Sequence, residues 1–190
     1  MLKSIPSTSP KLPMPDDFSL TPMTSAAVQL QIYVEIVDSD PAIWRRLRIP
    51  AKATLQDLHQ LLQAAMGWHN RHDHQFKTEA SEQATVTAVF SQDIPELLYL
   101  YDRSDGWLHR VRLEQTLSMP DGPAPVCLEG EMACPLEGSG GVWGYEELLD
   151  RLNDPDDPEY VDLWDRIGGD FDPDYFDLSA ANQRLSALAH

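Results

Sequence analysis

Two short stretches of this chain concentrate side chains that bind metals, move protons or stack on ligands. One is His72-Asp73-His74-Gln75-Phe76, and the other is Tyr99-Leu100-Tyr101-Asp102-Arg103-Ser104-Asp105-Gly106-Trp107-Leu108-His109. A core strand has no need of so many imidazoles and carboxylates. His72 and His74 lie two apart. On a strand that spacing sets both imidazoles on one face, as a His-x-His metal site requires. A loop histidine followed by an unrelated one on an edge strand fits the same pattern. Asp102, Asp105 and His109 bracket a turn. Carboxylate with imidazole suits acid–base work, a metal shell or a structural hydrogen bond. The simpler reading is a turn whose aspartates cap backbone amides.

Cys127 and Cys134 are seven apart, wider than the spacing of a zinc knuckle. They could join histidines in a mixed site or form a disulfide, but packing as small hydrophobes is simpler. Gly138-Ser139-Gly140-Gly141 resembles a phosphate cradle in composition alone, and without a Gly-Lys-Ser/Thr pattern a P-loop is excluded. Asp170-Phe171-Asp172-Pro173-Asp174 lacks the spacing and terminal glutamate of an EF-hand.

The elements that must position these residues follow from pattern. The chain has 190 residues, a length that suits one domain able to bury a core without staples. Residues 1–26, rich in Pro, Ser, Thr and Met, are expected to be a flexible tail, and 27–190 the domain. Val28, Leu30, Ile32, Val34 and Ile36 alternate as in a half-buried strand. A second strand follows, with Ile43, Arg45, Leu47 and Ile49 on one face and Trp44, Arg46 and Arg48 on the other, and its orientation is open. Thr54-Leu55-Gln56-Asp57 reads as a capping box before Leu55, Leu58, Leu61, Leu62, Ala65 and Met66 at helical spacing, with Gly67 as the stop. His74–Thr78, Leu97–Tyr101 and Leu108–Leu113 read as strands, the last two joined by the Asp102–Gly106 turn. Thr85–Phe90 fits a strand or one helical turn. Pro120–Gly141 reads as a long loop with a short strand at Val126–Leu128. Tyr145–Leu152, Glu159–Ile167 and Leu178–Leu188 read as helices at a strongly acidic end. The fold class is α+β: an antiparallel or mixed sheet, one helix from the N-terminal half packed on it, and a C-terminal group of helices.

Charge narrows the partners. Thirty-one acids against 14 bases give a net charge of −17, which argues against adhesion to nucleic acid or anionic lipid. Arg45-Arg46-Leu47-Arg48 is the one evident basic patch. No secretory signal and no apolar run of membrane-spanning length is recognisable, so the expectation is a cytoplasmic protein with reduced thiols.

Several motifs, taken in order, resemble the plasmid pRiA ORF-three-like family. They are Ile43-Trp44-Arg45-Arg46, Ala64-Ala65-Met66-Gly67-Trp68, His72–Phe76 and Tyr101–His109, then Cys134-Pro135-Leu136-Glu137-Gly138-Ser139-Gly140-Gly141, Gly144-Tyr145-Glu146, Phe171–Asp177 and Asn182. The resemblance spans roughly residues 28–185. It implies an α+β domain found in bacteria, archaea and on mobile elements, and it carries no reaction. Against the family pattern Tyr-Asp-Phe-Gly-Asp-x-Trp, Arg103-Ser104 replaces Phe-Gly. Against Cys-Pro-Pro-Glu-Asp-x-Gly-Gly, Leu136 replaces the second proline and Gly138 the aspartate.

Three functional readings follow. In the first, the chain is a binding module for a protein or small molecule. Its surface groove is lined by Trp44, Trp68, Tyr101 and Trp107, with Arg45 and Arg46 at the rim, since aromatics beside arginine mark binding hot spots. In the second, it is a metal-dependent hydrolase. His72, His74, His109 and Cys134 are then the candidate ligands of a divalent ion, and Asp102, Asp105, His109 and Glu137 the candidate catalytic groups. That reading requires at least three of these side chains to meet at one point. In the third, it is an accessory protein of a mobile element that contacts DNA through Arg45, Arg46 and Arg48.

Overall fold

The computed structural model describes residues 27–90, 95–119 and 124–188. The expected tail at 1–26 lies outside them. Six strands form one sheet: β1 (Ala27–Ile36), β2 (Trp44–Pro50), β3 (His74–Phe76), β4 (Glu96–Tyr101), β5 (Trp107–Met119) and β6 (Val126–Glu131). Their order is β3-β4-β5-β1-β2-β6, and every neighbouring pair is antiparallel. The helices are α1 (Leu55–Met66), the single turn α2 (Val86–Val89), α3 (Gly141–Leu152), α4 (Tyr160–Ile167) and α5 (Leu178–Ser186). The class is α+β, as the pattern predicts. No helix among the described residues is long and apolar enough to cross a membrane.

The core lies on one face of the sheet. Alternation along β1 buries Leu30, Ile32 and Val34, and β4 adds Leu97, Tyr99 and Tyr101. Against them α1 lays Leu55, Leu58, Leu61, Leu62, Ala65 and Met66, all buried. Its start is fixed by the Thr54–Asp57 box. The Thr54 amide donates to Asp57 Oδ2 at 2.8 Å, and the Asp57 amide donates to Thr54 Oγ1 at 3.1 Å. Helix α5 packs against α1 and β6. There the Asn182 side chain accepts from the Cys127 amide at 2.8 Å and donates to the Cys127 carbonyl at 3.0 Å.

The orientation of β2 is now settled. Ile43, Arg45, Leu47 and Ile49 face inward. Arg45 is fully buried, so its expected place at a groove rim is corrected. The guanidinium donates to the carbonyls of Ala65, Trp44, Glu131 and Met132 and lies 3.8 Å from the centre of the Phe176 ring. Backbone carbonyls and a ring face supply what no carboxylate does here. Trp44 and Arg46 face the opposite side of the sheet. Trp44 stacks on Tyr33 at 5.3 Å, and Arg46 is held by Glu114 and Glu129.

Other boundaries also moved. Thr85–Phe90 resolves into the α2 turn, β5 runs on to Met119, and β6 continues to Glu131. Helix α3 starts at Gly141, four residues before the apolar pattern does, because Gly140 and Gly141 with φ of 90° and 74° carry the chain into it. Strand β3 begins at His74, so His72 precedes it in a loop and the two imidazoles do not share a strand face.

Between α1 and β4 lies a buried polar cluster. His59 meets Tyr99 Oη at 2.7 Å and Asn70 Oδ1 at 2.9 Å, and its ring stacks on His74 at 3.5 Å. Burial, aided by His74, lowers its pKa to about 4. The sign of the consequence follows. The unfolded chain takes up this proton below the ordinary histidine value, and the folded chain does so only near 4. Stability therefore falls as pH drops through that window, by on the order of 2 kcal/mol at pH 4.5 for this group. Urea unfolding of wild type and His59→Gln at pH 7 and 4.5 checks this. The variant should lose less stability on acidification, and an equal loss in both proteins would refute the assignment.

Candidate functional site

The stop of α1 at Gly67 delivers Trp68 to Arg71 to the edge of the core. Trp68 is buried, stacks on Tyr101 at 4.9 Å, and donates its indole N–H to the Pro135 carbonyl at 2.8 Å. That bond ties the segment after α1 to the 134–139 loop. A second tie is polar. Tyr101 Oη accepts from the Arg71 amide at 3.0 Å and donates to Glu137 Oε1 at 2.5 Å. His69 Nδ1 lies 3.2 Å from Glu137 Oε2, and Arg71 Nε lies 4.0 Å from the same oxygen.

Glu137 is thus a nearly buried carboxylate, 9 % exposed, with donors on both oxygens. Burial works to raise its pKa, but the hydrogen bonds from Tyr101 and His69 outweigh it, and the net shift is downward. The carboxyl is ionised at neutral pH. Tyr101 is pushed the other way, to about 12, by burial and by the bond to Glu137, so it remains the donor.

Trp68, His69, Arg71 and Glu137 of this cluster line a cleft of about 640 Å³. The segment after α1 and the 134–139 loop form one side, and α3 and α4 the other. Gly144, Glu147, Leu148 and Arg151 of α3 line it as one helical stripe. Leu163, Arg166 and Ile167 of α4 face them. Arg151 is bound to Asp157 and Glu159 at 2.9 and 2.6 Å.

Of the remaining sequence candidates, only Cys134 lines this cleft. Asp102 is buried with φ of 52°, accepts from the Ser104 and Asp105 amides at 2.9 and 3.4 Å, and meets His72 Nδ1 at 3.2 Å. Asp105 accepts from the Gly140 amide at 3.1 Å and pins the hairpin to the start of α3. Both aspartates cap backbone amides, as the simpler reading of the turn has it. The Asp102–His72 pair has the geometry of an oriented base, but His72 does not line the cleft. His109 is fully buried, with Nδ1 on the Trp107 carbonyl at 3.0 Å, and burial lowers its pKa to about 4. His74 is taken up by the His59 stack and by Glu82 at 3.3 Å. Both cysteines are free, and burial pushes the Cys127 thiol up to about 11 and Cys134 to about 12.

Two expectations are corrected on these contacts. Among the described residues, no three His, Cys, Asp or Glu side chains gather where they could hold a metal ion. The convergence that the hydrolase reading requires is therefore not found among these candidates, since His72 pairs with Asp102 while His74, His109, Asp105 and Glu137 are held elsewhere. The single aromatic groove does not exist either. Trp107 and Tyr101 are core residues, Trp44 is across the sheet, and Trp68 alone of the four lines the cleft. Of the arginines in the DNA reading, Arg45 and Arg46 are already engaged. One is sealed inside and the other is committed to two glutamates.

Residues 28–180 match the family model described as plasmid pRiA4b ORF-3-like protein. The chain belongs to the plasmid pRiA4b ORF-3-like family. The uncharacterized protein y4hQ of Sinorhizobium fredii (strain NBRC 101917 / NGR234) is 33% identical over 150 residues, covering 70% of this chain and 76% of that protein. The crystal structure of the protein of unknown function MM3350 from Methanosarcina mazei Go1 superposes with a TM-score of 0.75. It is 38% identical, and the match covers 80% of this chain and 97% of that one. A bacterial and an archaeal relative thus share this plasmid pRiA4b ORF-3-like domain.

In this member of the family, Leu136 and Gly138, the two loop departures, both line the cleft. Arg103, a hairpin departure, pairs with Asp73 at 2.9 Å. Sequence reasoning missed His69, Arg71, Leu148, Arg151, Leu163 and Arg166. The spacing of Gly144, Leu148 and Arg151 was the only local signal. The rest depends on which elements the fold brings together.

Proposed function

We propose that this chain is a binding module that receives a small molecule in the cleft beside Trp68 and Glu137. The observation that carries this reading is the cleft itself. Its volume lies within the usual range for small-molecule sites, about 300–1,000 Å³. Its floor holds Glu137, fixed by the buried Tyr101 hydroxyl beneath it and by His69 at the rim, and its walls include Leu136, Leu148, Leu163 and Ile167. Apolar walls give affinity, and a few fixed polar groups give orientation.

The neutral fluorophore N-phenyl-1-naphthylamine tests the reading. Its emission should rise saturably with one site per chain. Leu148→Trp, which fills the cleft from α3, should weaken that binding at least about tenfold while leaving the circular dichroism spectrum unchanged. Non-saturable emission, or equal binding by a folded Leu148→Trp protein, would reject the cleft as the site.

A further inference from the structure

Three arginines line the cleft against two glutamates. Thirty-one acids and 14 bases make the molecule strongly anionic. Yet His69 and Arg71 stand at the rim with side chains 69% and 68% exposed. Arg166 is exposed on the facing helix, and no carboxylate among the described residues lies within ion-pair distance of it. The acid on the floor is already engaged, because Glu137 takes the Tyr101 hydroxyl on one oxygen and His69 on the other. Arg151 is cancelled by Asp157 and Glu159. Glu147, exposed on α3, is the one lining acid without such a partner. Arg166, which is unpaired among the described residues, and Arg71, which reaches Glu137 only at 4.0 Å, therefore stand beside an apolar wall of Leu136, Leu148, Leu163 and Ile167.

From this arrangement we infer that the ligand is a free anionic amphiphile. Its carboxylate or phosphoryl head would lie between Arg71 and Arg166, and its apolar body against the leucine–isoleucine wall. Arginine suits such a head because its planar fork offers paired donors. A net charge of −17 opposes docking onto an anionic bilayer, so the amphiphile is a dissolved molecule rather than a membrane lipid. Glu147 opposes the head and limits its affinity. The inference rests on the cleft being a binding site.

Competition against bound N-phenyl-1-naphthylamine separates the two claims. The competitors are octanoate, octanol and octylamine at neutral pH, which share a tail and differ in head charge. Octanoate should displace the fluorophore at about tenfold lower concentration than octanol, the gain expected of a charge-assisted hydrogen bond, and octylamine should be weakest. The advantage of octanoate should vanish in the Arg71→Gln/Arg166→Gln double variant. It should grow in Glu147→Gln and shrink in high salt. All three positions are exposed, and melting by circular dichroism confirms that each variant is folded. If octanol matches octanoate, or the double variant keeps the preference, the anionic ligand is refuted while the cleft stands. If the fluorophore finds no single site or none of the three displaces it, the cleft reading falls and the inference falls with it.

Discussion

Arg45→Ala is expected to lower the unfolding free energy by on the order of 5 kcal/mol, or to prevent folding, because it strands several buried acceptors at once. The side chain is fully buried and donates to four carbonyls, those of Ala65, Trp44, Glu131 and Met132. Those oxygens belong to the end of α1, to β2 and to the end of β6 with the residue after it, so a single residue joins three parts of the fold. Removing an ion pair whole can be harmless when both partners go, but here the acceptors are backbone and cannot be removed. Each carbonyl left dry costs about 1–3 kcal/mol. The cavity under Phe176 adds to that. Arg45→Lys should recover only part of the loss, since an ammonium cannot spread its donors over four oxygens and stacks less well on a ring. Gly130 supports the same site. A Cβ there would meet the Arg45 side chain and the Phe176 ring. Urea unfolding followed by circular dichroism is the check. A loss below about 1 kcal/mol in Arg45→Ala would show that water replaces the guanidinium, contrary to the burial described.

Gly141→Ala is expected to cost about 3–4 kcal/mol and to weaken fluorophore binding as well. Its backbone holds φ of 74°, where an alanine is strained by about 1–2 kcal/mol. The larger part of the cost is steric, because the new Cβ would overlap the carbonyl oxygen of Asp105. That carbonyl lies in the β4–β5 turn, whose Asp105 carboxylate accepts from the Gly140 amide. Pushing the two apart breaks this tie and shifts α3, one wall of the cleft. Gly138→Ala is the matched control. Gly138 has φ of 81° but open space around it, so only the strain should appear, at about 1 kcal/mol. Equal effects at the two glycines would mean that the contact with Asp105 does not position α3.

The contrast between these sites shows what a single sequence can reveal. Helix α1 was legible because its cap, apolar stripe and stop all lie within fourteen consecutive residues, Thr54 to Gly67. The alternation of β1 and the Asp102–Gly106 turn were legible for the same reason. Arg45 was not, because its inward orientation depends on carbonyls from α1 and from the end of β6, far along the chain. His72 and His74 suggested a paired site only while both were assumed to lie on one strand. For the cleft, Trp68 was named as a groove residue and Glu137 as a candidate catalytic group. Arg166 and Leu163 lie in a helix with no motif of its own, so only the folded arrangement brings them opposite Arg71. Tyr101 was read as a groove residue and turned out to act through its hydroxyl alone, reaching Glu137 from within the core.

The pairing of Asn182 with Cys127 has a consequence for how the molecule meets other chains. A side-chain amide offers one acceptor and one donor at the spacing of a peptide group, and here both are spent on the outermost strand at one end of the sheet. Asn182 stands in for one residue of a missing seventh strand. The opposite end is closed by brevity, since β3 is three residues long. A side-chain amide on β6 and a short β3 thus blunt the two outermost strands, two of the ways in which proteins discourage edge-to-edge pairing.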